Sequence, residues 1–79
     1  MRNELTIHLF GALQDVLETQ QITFPSYPDA GALYEALLIA FPTLKSSPFR
    51  IAVNHKLAGP ETALGPGDEI ALLPPFAGG

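Results

Sequence analysis

The sequence predicts an α+β fold of two layers, with one main helix packed on one face of a mixed sheet of about five strands. Three observations carry this. Strict apolar–polar alternation marks short strands near both ends of the chain, in "ELTIHLFG" and "EIALLP". A single stretch, "SYPDAGALYEALLIAFP", repeats its apolar residues at helical spacing. The segments between are rich in Gly, Pro, Asn and Asp, the residues of turns.

In "ELTIHLFG", Leu5, Ile7 and Leu9 share one side and Thr6, His8 and Phe10 the other, so one face of this strand meets a core. Gly11 closes it, and "ALQDVLETQ" is a connection with room for a helical turn. "QITFP" brings Ile22 and Phe24 to one face before Pro25 stops the ladder, and the two strands read as a hairpin. Asp29 stands where its carboxylate can cap the helix by accepting a bond from an unpaired N–H. Leu33, Leu37 and Phe41 recur every four residues, with Ala30 and Ala40 on the same flank, and this stripe is expected to face the core. Pro42 ends the helix, and Gly31, which costs up to ~1 kcal/mol relative to alanine, predicts fraying of its first turn.

"FRIAVN" alternates again, with Ile51 and Val53 inward and Arg50, Ala52 and Asn54 outward. "NHKLAGPETALGPGDE" is turn-rich, with room for a short strand near Leu57, and in "GPGDE" either Gly65 or Gly67 supplies a positive φ. In the last strand Ile70 and Leu72 oppose Ala71 and Leu73. The first and last strands carry the densest apolar alternation and are expected to be central neighbours. That arrangement is the β-grasp, or ubiquitin-like, fold, with residues 1–73 forming the domain and 74–79 an extended tail.

The 79 residues suit one domain, and a chain this short buries only ~60% of the surface its unfolded form exposes. The absence of cysteine excludes disulfides, zinc–thiolate sites and a thiol nucleophile. Hydrophobic residues at 47% against 15% charged ones indicate a globular chain that leaves some apolar surface exposed. The net charge is −4, and the four cations Arg2, Lys45, Arg50 and Lys56 are scattered. This argues against nucleic-acid binding and favours a basic protein partner. No apolar run follows Arg2 as in a signal peptide, and none approaches the ~20 residues of a membrane span. The expectation is a cytoplasmic protein with no nucleic-acid or membrane partner.

No side chain has the setting of a catalytic group. His8 and His55 lie on different elements with no His, Asp or Glu at ligand spacing, and read as exposed strand and turn residues. Asp68 and Glu69 are adjacent at a strand start and point apart, which suits a solvated turn better than acid–base work. Ser26, Ser46 and Ser47 lack a base and acid in pattern, and no phosphate-binding glycine loop is present. The chain is therefore expected to bind no metal or cofactor itself.

Two features remain. Phe10, Ala52, Ala71 and Leu73 would lie on the sheet face opposite the helix, where an apolar patch suggests a partner-docking surface. Packing of these residues beneath segment 55–67 is the alternative, and Leu38 and Ile39 raise the same question less strongly. The second feature is "PPFAGG". Pro74 and Pro75 fix φ and lack donors, so the chain leaves the sheet extended, and six residues reach ~20 Å. Phe76 and Ala77 follow, and Gly78 and Gly79 can thread a passage too narrow for any side chain. What they deliver is the carboxylate of Gly79. A merely frayed end is the alternative.

In "LFGAL", "IAVNHKLA", "LGPGDEIALLPP" and the final "PPFAGG", in that order and spacing, the chain resembles the MoaD/ThiS family of ubiquitin-like sulfur carriers. The resemblance covers nearly the whole length and is strongest to the MoaD branch. It implies that an E1-like adenylyltransferase uses ATP to adenylate Gly79, and that a sulfur donor protein displaces AMP to leave a thiocarboxylate. The loaded tail would enter the active site of the large subunit of molybdopterin synthase, in a heterotetramer, and give sulfur to cyclic pyranopterin monophosphate during molybdenum cofactor biosynthesis. Catalytic acids and bases would then belong to the partners. Family members often carry a basic residue soon after the first turn, where this chain has Gln14 and Asp15. A ThiS-type carrier for thiazole synthesis, a Urm1-like modifier joined to lysines through Gly79, and a β-grasp binding module with an inert tail are the other candidates.

Overall fold

Glu4–Leu9 forms β1, in which exposed Glu4 and Thr6 alternate with buried Leu5, Ile7 and Leu9. The computed structural model describes residues 4–74. A short helix α1, Leu13–Leu17, fills the connection to β2, Gln21–Pro25, which pairs antiparallel with β1 so that Leu5 faces Phe24 and Ile7 faces Ile22. The main helix α2 spans Ala30–Ala40, a 3₁₀ segment spans Pro42–Ser46, and β3 (Arg50–Val53), β4 (Lys56–Leu57) and β5 (Glu69–Leu73) complete the chain. The sheet order is β2-β1-β5-β3-β4, with β1 and β5 parallel at its centre and the other pairs antiparallel. This is the β-grasp architecture. No helix among the described residues is long and apolar enough to cross a membrane.

The core lies between the sheet and α2. Ile7, Leu33, Leu37, Ile70 and Leu72 are fully buried there, with Leu5, Leu9 and Leu44 almost so. Asp29 caps α2 as expected, its Oδ1 accepting from the Ala32 N–H at 2.8 Å. Ala30, Leu33 and Leu37 form the buried stripe, but Ala40 is exposed, because the helix ends there and Phe41 turns back to pack on Phe24 at a ring-centroid distance of 6.1 Å. Leu44, in the 3₁₀ segment, supplies the core contact that continued helical spacing would have given to a later turn. Leu38 packs partly against the core, whereas Ile39 stands 80% exposed.

The first turn of α2 does not fray. The Ala30 and Gly31 N–H groups, which a helix leaves unpaired, donate to the carbonyls of Thr62 and Pro60 at 2.9 Å each. Leu64 N–H donates to the Pro28 carbonyl at 3.0 Å, so loop 58–64 is laced to the helix start. Gly31 permits this approach, since a Cβ there would stand 3.0 Å from the Pro60 carbonyl oxygen. Helix propensity alone would favour Gly31→Ala by ~1 kcal/mol. The contact is with a clamped backbone, so Gly31→Ala is expected instead to destabilise by about 1 kcal/mol, measured by denaturant unfolding.

Candidate functional site

β5 leads toward the C-terminal end of the chain, and the sheet holds its last residues from both sides. The strand is hydrogen-bonded on both sides, with Leu72 opposite Leu9 and Ile51, and Leu73 opposite Arg50. The Phe10 N–H extends the ladder to the Leu72 carbonyl at 3.2 Å. Pro74 then lies against Gly11. A Cβ on Gly11 would come within 2.9 Å of the Pro74 Cγ, and Gly11 holds φ +60°, a left-handed conformation that suits glycine. The exit of the strand is thus fitted to the turn between β1 and α1. Pro75, Phe76, Ala77, Gly78 and Gly79 lie outside the described residues.

The sheet face opposite α2 is organised in rows by strand register. Thr6 and Glu69 form one row, and His8, Ala71, Ala52 and Leu57 the next. Phe10, Leu73 and Arg50 form the row at the exit of β5. His8, Phe10, Ala52, Leu57, Ala71 and Leu73 line a shallow groove of about 460 Å³. Phe10 is 46% and Leu57 58% exposed, so they form its open walls. Ala71 and Leu73 are half-buried, and Ala52 is only 5% exposed, a floor residue hemmed in by its strand neighbours rather than a contact in its own right. Of segment 55–67, His55 and Leu57 border these residues, whereas 58–64 do not cover them, because their hydrogen bonds tie them to the start of α2 on the other side of the sheet.

Leu57 was not among the candidate docking residues. Its face is decided by the two-residue turn between β3 and β4, where Asn54 and His55 both take left-handed φ, +52° and +72°, as the tightest hairpin turns require. That turn pairs Val53 with Lys56 and so places Leu57 opposite Ala52. Asn before a two-residue return was the available signal.

Asn54 also sets the start of β5. Its Oδ1 accepts from the Glu69 N–H at 3.0 Å, its Nδ2 donates to Asp68 Oδ1 at 3.0 Å, and its own N–H donates to the Glu69 carbonyl at 2.8 Å. Asp68 Oδ2 accepts from the Gly65 N–H at 2.8 Å, closing a turn in which Gly67 holds φ +86°. The Asn54 amide, and secondarily the Gly65 N–H, hold the Asp68 carboxyl below its usual range. A depressed carboxylate stabilises the fold above its unfolded pKa, and that contribution is lost as pH falls through the lower folded value. Acidification below the ordinary carboxylate range is therefore expected to lower Tm more in the natural chain than in Asp68→Asn. Asn54→Ala is expected to cost about 1–2 kcal/mol, since alanine neither tolerates the left-handed turn nor bonds to Glu69.

His55 Nε2 lies 3.0 Å from Glu69 Oε1, a pairing hidden in the sequence by a separation of 14 residues. Both side chains are exposed, and the pair contributes little in water. His8 stands one row away. Among the described residues no three His, Cys, Asp or Glu gather as metal ligands.

Comparison with known proteins matches residues 7–79 to the ThiS family model. The chain is 31% identical to the molybdopterin synthase sulfur carrier subunit of Mycobacterium tuberculosis, over 96% of this chain and 98% of that protein. Its fold is similar to a chain in the complex of subunits 1 and 2 of molybdopterin-converting factor from Helicobacter pylori, with 29% identity, a TM-score of 0.69 and coverage of 96% and 99%. It is also similar to the small archaeal modifier protein 1 of H. volcanii, with 27% identity, a TM-score of 0.76 and coverage of 94% and 99%.

Proposed function

The chain belongs to the ThiS family, and from that premise we propose that it is a sulfur carrier acting as the small subunit of a molybdopterin synthase. The observation that carries this is the family match through residue 79, on a strand that the sheet grips from both sides and releases at Pro74. Gly79 supplies the reacting group. A carboxylate is a poor acyl donor, so an E1-like enzyme joins it to AMP from ATP and releases pyrophosphate. Sulfide displaces AMP directly, or a donor's persulfide displaces it to leave an acyl disulfide that a second thiol of the donor cleaves; either way a carbon–sulfur bond replaces the acyl–phosphate bond. The resulting thiocarboxylate is more polarisable and less tightly hydrated than a carboxylate, and is a usable nucleophile near neutral pH.

In the large subunit's active site the sulfur of the loaded tail bonds to cyclic pyranopterin monophosphate, and water then cleaves the acyl–sulfur bond and returns Gly79 as a carboxylate. Two such transfers build the dithiolene. The outer groove of Phe10, Leu57, Ala71 and Leu73 is the surface that docks, and the strand exit, where Pro74 lies against Gly11, stands at its border. Acid–base groups are the partner's contribution.

A second account has a specific observation in its favour, the likeness to a small archaeal modifier. A modifier would join Gly79 to lysines of other proteins. Recovering the chain from its source cells separates the two. A free chain ending in thiocarboxylate is the expected result, and Gly79 in isopeptide linkage to lysines as the main recovered form would replace the carrier account with the modifier one.

A further inference from the structure

The three rows of the outer face differ in charge as well as in shape. The row of Thr6 and Glu69, beside Asp68, is acidic, and the middle row is apolar with His8 at its side. The row at the tail exit ends in a cation, Arg50, the antiparallel partner of Leu73. Register partners share a face, which sets Arg50 beside Leu73, at a position that also borders a second groove, with Tyr34, Glu35 and Phe49, on the α2 side. Of the other described cations, Lys56 is the partner of inward Val53 and Lys45 lies in the 3₁₀ segment, so Arg50 is the lone described cation of this face. It is exposed, and among the described residues it makes no ion pair or side-chain hydrogen bond.

A partner that covers Phe10 and Leu73 strips water from the neighbouring guanidinium. A charge desolvated without compensation costs several kcal/mol, enough to cancel the gain from burying either apolar side chain. We propose that the protein which takes the tail presents an Asp or Glu carboxylate at the rim of its tail channel, opposite Arg50. This rests on the sulfur-carrier account and adds the chemistry of the partner's rim. The pairing makes docking directional: an apolar surface seats on the middle row in only one orientation, with its acid at the exit end and none at the Glu69 end. The tail is thereby aimed as well as attached. Arg50 is a docking residue, and its planar, bidentate donors suit a carboxylate.

The test measures binding of the natural chain, Arg50→Glu, Arg50→Gln and Lys45→Glu to the large subunit of molybdopterin synthase from the source organism, by calorimetry at low and high ionic strength. Each variant's fold is checked by circular dichroism. Arg50→Glu is expected to raise Kd at least about tenfold at low salt, with a smaller penalty at high salt, and Arg50→Gln about threefold. Lys45→Glu is expected to leave Kd unchanged. The same comparison in chains lacking Gly78 and Gly79 separates the partner's acid from the chain's own terminal carboxylate. An Arg50→Glu penalty of equal size in the shortened chain supports the rim carboxylate, and its disappearance there would overturn it. An unchanged Kd for folded Arg50→Glu in the full chain would also overturn it while leaving the carrier account standing. Failure of the natural chain itself to bind would instead overturn the carrier account on which the inference rests.

Discussion

Gly79→Ala is expected to slow sulfur transfer at least about a hundredfold while leaving the unfolding transition where it is. The two halves of this expectation have separate origins. Stability resides in the layer between α2 and the sheet, where Leu33, Leu37, Ile70 and Leu72 are fully buried, and β5 ends at Leu73, before the tail begins. Transfer depends on bringing one terminal carbon within bonding distance of a partner's reacting atoms, and a displacement of about 1 Å at such a centre costs about two orders of magnitude. On the proposed threading of the tail, an added methyl group demands that displacement where glycine carries only a hydrogen. Rates of thiocarboxylate formation and of molybdopterin release, read beside a thermal melt, check both halves. Equal rates, or a lowered Tm, would contradict the assignment.

Charge placed in the outer groove is expected to have the second large effect. Phe10→Arg and Leu73→Arg should each weaken binding to the large subunit by about thirtyfold or more, the loss typical of a buried apolar anchor at an interface centre. Phe10 is 46% exposed and Leu73 half-buried in the isolated chain, so both accept a long polar side chain without unfolding. Ile39→Arg is the matched comparison. Ile39 is 80% exposed on α2, away from the groove, and its change is expected to leave affinity unaltered. Unchanged affinity in both groove variants would assign docking to another surface.

What could be read from the residues alone is what local chemistry decides. Alternation at Leu5, Ile7 and Leu9 and at Ile70 and Leu72 identified the inward faces of the two central strands, because a period of two admits one buried face only. Asp29 and Pro42 bounded α2 through a cap and a missing donor, both properties of single residues. Long-range contacts were the part that stayed hidden. Gly31 reads locally as a weak spot, yet it is the seat of loop 58–64, and only the fold brings Pro60 to it. Leu57 gained its place in the groove from a turn of two left-handed residues, and Ala52 lost most of its exposure between β4 and the distant β5. Ala40 followed the helical stripe on paper, but it is the last residue of α2 and stays exposed.

The central claim is that Gly79 carries sulfur, and the intact mass of the chain tests it most directly. The chain is incubated with an E1-like activating enzyme, ATP and a sulfur donor, then weighed whole and as its C-terminal peptide. The account predicts a gain equal to replacing one oxygen by sulfur, located in the peptide ending "FAGG" and absent without ATP. An unchanged mass in the presence of an enzyme shown to be active on another carrier would contradict it.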